Sequence, residues 1–195
     1  MKGLIKHSLV LAAVLLGGCV SYSQHELPAV QTWPPTANVP AQKPAAYLRT
    51  TALIQVNNGP GTAAGGAPAA LWEKAVADSF RQSNRFSRVS TDKVDSDIYA
   101  EATLSNNEQF SVASAIISGV TFLIIPTTSK NIFTLETVFK DKDGKELGRV
   151  KKSESVRTWM HLVLIVGIPF QTDTREVVEA LTRSTLDEAV QRKLL

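Results

Sequence analysis

Hydrophobic and polar positions alternate with a period of two from Tyr47 to Val56. Leu48, Thr50, Ala52, Ile54 and Val56 share one face, with Arg49, Thr51 and Gln55 opposite, the pattern of a strand with one buried side. The same alternation sets Ile98, Ala100, Ala102 and Leu104 against Tyr99, Glu101 and Thr103. A third strand, Ile132 to Lys140, puts Phe133, Leu135, Thr137 and Phe139 on one face. Between the first two strands the period becomes helical, through Leu71, Ala75, Val76 and Phe80. Pro68 stands where a first helical residue belongs, and Ser83-Asn84 marks the stop. Phe86 and Val89 then lead the chain back under the sheet. Asp143-Gly144 is a hairpin signal, because a tight turn needs positive φ there. The returning strand, Leu147 to Thr158, carries Lys151, Lys152, Glu154 and Arg157, which suits an edge or solvent-facing strand. Asp173 with Glu176 reads as a capping box opening a last helix, with Val178, Leu181, Leu186 and Ala189 on one stripe.

The order strand-helix-strand-strand-strand-helix predicts an α+β fold, a mixed four-stranded sheet with two helices packed on one face. Strands joined by a helical crossover should be parallel neighbours or lie one strand apart. Two uncharged apolar stretches remain, Ser111 to Ile125 and Trp159 to Phe170. One leads into the third strand and the other leaves the fourth, so the open end of the hairpin should bring them side by side. They read as core, as an apolar lobe for the bilayer or a protein partner, or as transmembrane spans. The last is disfavoured by their length against the roughly 20 residues a span needs. If they form a contact surface, Phe122, Ile124, Trp159, Leu162 and Leu164 are its candidate residues.

The start of the chain has a different logic. Lys2 and Lys6 precede an apolar run, Leu9 to Leu16, and Leu16-Gly17-Gly18-Cys19 follows where a signal peptidase would cut. Small Gly17 and Gly18 admit an extended backbone to a protease cleft, and a thiol at Cys19 can accept a diacylglycerol. The stretch resembles the lipobox of bacterial lipoproteins, Leu-x-Gly/Ala-Cys. That resemblance implies cleavage between Gly18 and Cys19, lipidation of Cys19 and a place in the cell envelope. The expected organisation is a signal peptide over 1–18, a lipidated N-terminus and Pro-rich tether over 19–45, and a single α/β periplasmic domain over 46–195. The tether carries Pro28, Pro34, Pro35, Pro40 and Pro44. Fully extended, it would hold the domain roughly 70–80 Å from the lipid. Trp33 would rest at the membrane or dock on the domain.

Charge follows from this. Loss of Lys2 and Lys6 leaves 19 basic against 18 acidic residues, about neutral, with none of the basic surface a nucleic-acid binder needs. Lipidation would consume the one cysteine, leaving neither a disulfide nor a thiol-ligated metal site.

Candidate chemistry is sparse. Gly59-Pro60-Gly61-Thr62-Ala63-Ala64 lies between strand and helix, as a dinucleotide-binding turn would. Pro60 removes an amide donor, however, and the next strand does not end in the required acid. His161 sits among apolar residues and reads as packed or interfacial. Glu101 and Glu136 lie on outward strand faces, where a carboxylate pair could carry acid–base chemistry, although charged outer faces are common. Arg81, Arg85 and Arg88 read as a solvated helix end. No catalytic residue, cofactor or metal is expected.

Lipobox, Pro-rich tether and small α/β domain together resemble the accessory lipoproteins of Gram-negative envelopes. These include auxiliary lipoproteins of envelope transport systems and lipoprotein activators of peptidoglycan synthases. The run AVADSFRQSNRFSRVSTDKVDSDIYAEATLS, within about Leu71 to Ser105, is similar to the transport group, and the apolar stretch from Ser111 departs from it. The resemblance implies a non-enzymatic accessory or assembly subunit, anchored in the outer membrane and facing the periplasm, that binds a protein or lipid component. Val20 after the cysteine, rather than Asp, fits outer-membrane sorting. The alternative is a ligand-binding domain or small enzyme with a pocket between the sheet and the apolar stretches.

Overall fold

The computed structural model describes residues 18–37, 40, 42–164 and 172–195. Leu16 and Gly17 of the lipobox, and residues 165–170 of the second apolar stretch, lie outside them. The described elements are β1 (Gly18–Ser23), β2 (Ala45–Val56), β3 (Thr62–Ala63), α1 (Gly66–Gln82), β4 (Arg88–Ser90), β5 (Ile98–Phe110), α2 (Val112–Val120), β6 (Thr127–Asp141), β7 (Glu146–His161) and α3 (Thr174–Gln191).

The fold is α+β with a mixed open sheet, but the sheet has seven strands among the described residues rather than four. Its order is β1-β7-β6-β5-β2-β3, with β4 also pairing β2. The expected strands form its centre. β2 and β5 are direct parallel neighbours, and β5–β6 and β6–β7 are antiparallel. The extra strands are short and lie at the margins. Phe86 is buried and Val89 packs against the core, and β4 adds Arg88–Ser90 beside Ala45–Tyr47. β3 folds the Gly59–Ala64 loop back onto Leu53 and Ile54, so that loop is a hairpin arm rather than a phosphate cradle.

The faces are those the alternation predicts. Leu48, Ala100, Leu104, Phe133, Leu135 and Phe139 point to one side and are buried beneath α1 and α3. Phe80 of α1 stacks with Phe86 and Phe139, at ring-centroid distances of 5.8 and 6.5 Å. In α1 the buried stripe runs through Trp72, Ala75, Val76 and Phe80, while Leu71 is exposed. Helix α1 starts at Gly66, two residues before Pro68. In α3, Val178, Leu181, Leu186 and Ala189 are fully buried, and the Asp173 side chain caps the helix by accepting from the Arg175 N–H. The β6–β7 turn has Gly144 at φ 81°, with Asp141 Oδ1 accepting from the N–H groups of Asp143 and Lys145.

Two expectations fail at the first segment after the lipobox. Its opening residues are not an irregular tether. Gly18–Ser23 form β1, antiparallel to β7, with Cys19 opposite Met160 and Ser23 opposite Val156. Consequently β7 is not an edge strand over this part. The segment beyond β1 also stays on the domain, where Trp33 packs against the core and the Arg183 guanidinium lies 5.7 Å from its ring centroid. Arg85 is not solvated either. It is 1% exposed and donates to the carbonyls of Ala37 and Leu195, at 2.7 and 3.3 Å. Burial depresses its pKa.

Candidate functional site

The two apolar stretches meet at one end of the sheet, as the hairpin predicts. The first becomes α2, whose N-cap Ser111 accepts from the Ser114 N–H, followed by a turn through residues 121–125. The second extends β7 to His161 and then turns tightly over residues 162–164. The Leu162 N–H donates to the Leu123 carbonyl at 3.0 Å. His161 joins the same two segments. Its Nε2 lies 3.1 Å from the Ile124 carbonyl, and its Nδ1 accepts from the Val163 N–H at 3.3 Å. A carbonyl only accepts, so the neutral Nε2–H tautomer satisfies both contacts. The histidine is a staple between loops, and among the described residues no carboxylate orients it.

What these segments present is apolar and exposed. Phe122 is 71% exposed, and Ile116, Ile117, Val120, Ile124, Ile125 and Val163 are exposed beside it. The core reading therefore does not describe this lip. Within α2 only Ser118 is buried. Phe122 and Leu123 both adopt left-handed φ, 51° and 62°, at a cost of about 1–2 kcal/mol each. Backbone hydrogen bonds from Leu123 to Ser118 and from Ile124 to Thr121 hold that turn. The candidate contact residues divide. Phe122, Ile124 and Trp159 are exposed, whereas Leu162 and Leu164 are half-buried and the intervening Val163 projects instead. Trp159 donates its indole N–H to the Tyr22 hydroxyl at 3.2 Å. Tyr22 alternates with Val20 in the sequence, but its strand partner lies about 135 residues away, which local periodicity cannot reveal. No helix among the described residues is long and apolar enough to cross a membrane.

Cys19 lies at this same end, half-buried, in register with Met160 and one position from Trp159. Thr127, where β6 begins, is opposite the same methionine. The expected lipidation and cleavage positions, Cys19 and Gly18, thus stand beside the lip rather than at the end of a free tether.

Glu154 secures the strand that carries Cys19. Its carboxylate is 3% exposed and accepts from the Ser23 hydroxyl at 2.8 Å and the Leu27 N–H at 2.9 Å, with the Glu26 N–H at 3.3 Å. Burial alone would raise its pKa. The hydrogen bonds from Leu27, Ser23, Glu26 and Ser155 outweigh burial and hold the carboxyl below its ordinary range. A lowered folded-state pKa stabilises the fold above the unfolded-state value, and the stabilisation is lost as pH falls through the folded value. Thermal melts at stepped acidic pH should therefore show the native protein losing stability in that window. Glu154→Gln should be about 1–3 kcal/mol less stable at neutral pH and less sensitive to acid.

Glu101 and Glu136, on the outward faces where the alternation places them, are both ion-paired. Glu101 is held by Lys140 at 2.8 Å and Arg49 at 3.5 Å, and Glu136 by Arg149 at 2.6 Å. The hydrogen bond from Lys140 lowers the Glu101 pKa against a smaller opposing effect of burial. No cluster of three potential metal ligands occurs among the described residues.

No protein-family model matches the chain. No curated protein matches it either. Among solved structures, the chain is similar to the PelC dodecamer from Paraburkholderia phytofirmans at 9% identity and a TM-score of 0.30, over 88% of this chain and 95% of that one. It is also similar to a DUF4136 family protein from Bacteroides thetaiotaomicron, at 11% identity and a TM-score of 0.30, over 91% and 96% of the two chains. Likeness at that level carries no inference about what this protein does.

Proposed function

We propose that this chain is a lipid-anchored, non-enzymatic protein of the Gram-negative cell envelope, an accessory or assembly subunit cleaved after Gly18 and acylated on Cys19. It sits in the outer membrane facing the periplasm and binds a lipid or protein component through its apolar lip. The observation that carries the reading is the register of β1. The residue that resembles a lipoprotein cysteine is paired beside Met160, at the end of the sheet where Phe122, Ile124 and Val163 are exposed. Acyl chains leaving that point would draw the lip onto the bilayer. Contiguous exposed apolar surface commonly marks an interface, and Trp159 and Tyr22 are residue types favoured at membrane–water boundaries. Cleavage would precede docking of β1, because a peptidase needs the backbone around Gly18 unpaired.

The test uses the acylated full chain in vesicles containing brominated phospholipid. Trp159 fluorescence is expected to be quenched, since the ring is 40% exposed at the lip, whereas Trp72 is in the core. Combined Phe122→Glu and Ile124→Glu should cut the quenching several-fold. Because both side chains are exposed, stability should change by no more than about 0.5 kcal/mol each. Unquenched Trp159 in the parent protein would remove the membrane from this reading. Unfolding of the double variant would return the lip to the core.

A further inference from the structure

Beyond the lip, on the open face of the sheet, lies a cleft of about 480 Å³. Asn57, Asn58, Gln109, Ser111, Lys130 and Arg157 line it, and no carboxylate among the described residues does. Its wall is already braced. The Asn58 side-chain oxygen accepts from the amides of Asn107 and Gln109 at 2.6 and 2.9 Å, and the Asn57 side chain accepts from the Phe110 N–H at 3.0 Å. Lys130 and Arg157 are directly opposed across β6 and β7. Like charges in that position repel. Lys130 has only a distant carboxylate, Glu26 at 3.9 Å. Arg157 has no ion pair or side-chain hydrogen bond among the described residues.

The position of the cations suggests what would neutralise them. Passing down β7 from the lip, the chain presents exposed Val163, then Trp159 bonded to Tyr22, then Arg157 facing Lys130. At about 3.3 Å per residue, Arg157 lies roughly 13 Å from His161. Apolar tip, amphipathic aromatics and cations follow the order of hydrocarbon, interface and headgroup in a bilayer. We infer that this cleft binds the anionic headgroup of a glycerophospholipid, with Lys130 and Arg157 on the phosphate and the Asn and Gln amides on the glycerol hydroxyls. The inference rests on the reading of the lip as a membrane contact and adds a lipid preference to it.

Native mass spectrometry of the acylated full chain, released from non-ionic detergent, separates the possibilities. Short-chain phosphatidylglycerol and phosphatidylcholine are supplied together. The protein should retain phosphatidylglycerol with about tenfold preference, and Lys130→Gln with Arg157→Gln should erase that preference. Arg157→Lys, which keeps the charge, should retain most of it and controls for misfolding. Equal retention of both lipids by the parent protein would overturn the inference, as would an undiminished preference in the folded double variant. Displacement of the lipid by equimolar inorganic phosphate would make this a free-phosphate site and overturn the lipid assignment. Bromolipid quenching of Trp159 reads the lip independently. Quenching without lipid preference would refute the cleft alone, and preference without quenching would refute the lip while supporting the cleft.

Discussion

Replacing Cys19 by serine is expected to move the protein from the membrane fraction to the soluble fraction and to abolish incorporation of a palmitate label. Each buried methylene of an acyl chain contributes about 0.8 kcal/mol, and one chain alone gives only reversible attachment. A cysteine carrying a diacylglycerol therefore dominates any affinity that the lip supplies, since a fully buried Phe or Ile side chain adds about 1.5–3 kcal/mol. Fractionation and label uptake should change together. Label retained by Cys19→Ser would place lipidation elsewhere and would remove the lipobox reading. Loss of label with undiminished membrane association would instead assign the anchoring to the lip. Folding should be little affected, because the other β1 pairings, from Val20–Trp159 to Ser23–Val156, survive the substitution.

Phe80→Ala should produce the greatest loss of stability among the substitutions considered. Phe80 is fully buried, stacked between Phe86 and Phe139, and joins α1 both to the sheet and to the segment leading into β4. Large-to-small aromatic truncations of this kind cost about 3–5 kcal/mol. In a domain of this size that lowers Tm by on the order of 10 °C. Denaturant or thermal melts would measure it. A cost below about 1 kcal/mol would mean that the site collapses to fill the space, and the packing described for α1 would need revision. Lipid preference and Trp159 quenching should survive in whatever fraction remains folded, because the lip and cleft lie outside this aromatic cluster.

The centre of the fold is legible in the sequence because its signals are local. Leu48, Ala100, Leu104, Phe133 and Leu135 alternate on strands of twelve to fifteen residues, so the buried faces of β2, β5 and β6 follow from a period of two. Asp143-Gly144 fixes the β6–β7 turn, and that turn brings the two apolar stretches together. What escapes the sequence depends on distant partners. β1 is six residues long and becomes a strand only because β7 offers a free edge. Arg85 reads as a surface charge until the Ala37 and Leu195 carbonyls close over it. Trp72 displaces Leu71 from the expected stripe because the indole meets Phe133 edge-on at 5.8 Å, and a helical period leaves adjacent positions hard to separate. At the lip the composition is evident, but its exposure is not. An uncharged run has the same letters whether it is core or surface.

The pairing of β1 with β7 also has a mechanical consequence. With Cys19 acylated, a pull on the lipid would run along the axis of β1, across its ladder to Val156–Met160. Antiparallel backbone hydrogen bonds lie perpendicular to that direction. The load is therefore shared by the ladder in shear, as in a lap joint, instead of opening one rung at a time like a zip. Beyond Ser23 the Glu154 carboxylate accepts from the Glu26 and Leu27 N–H groups, so the joint is pinned at the end farther from Cys19. Tension on such an anchor would be delivered into the middle strands of the sheet, and the residues that follow β1 would not bear it.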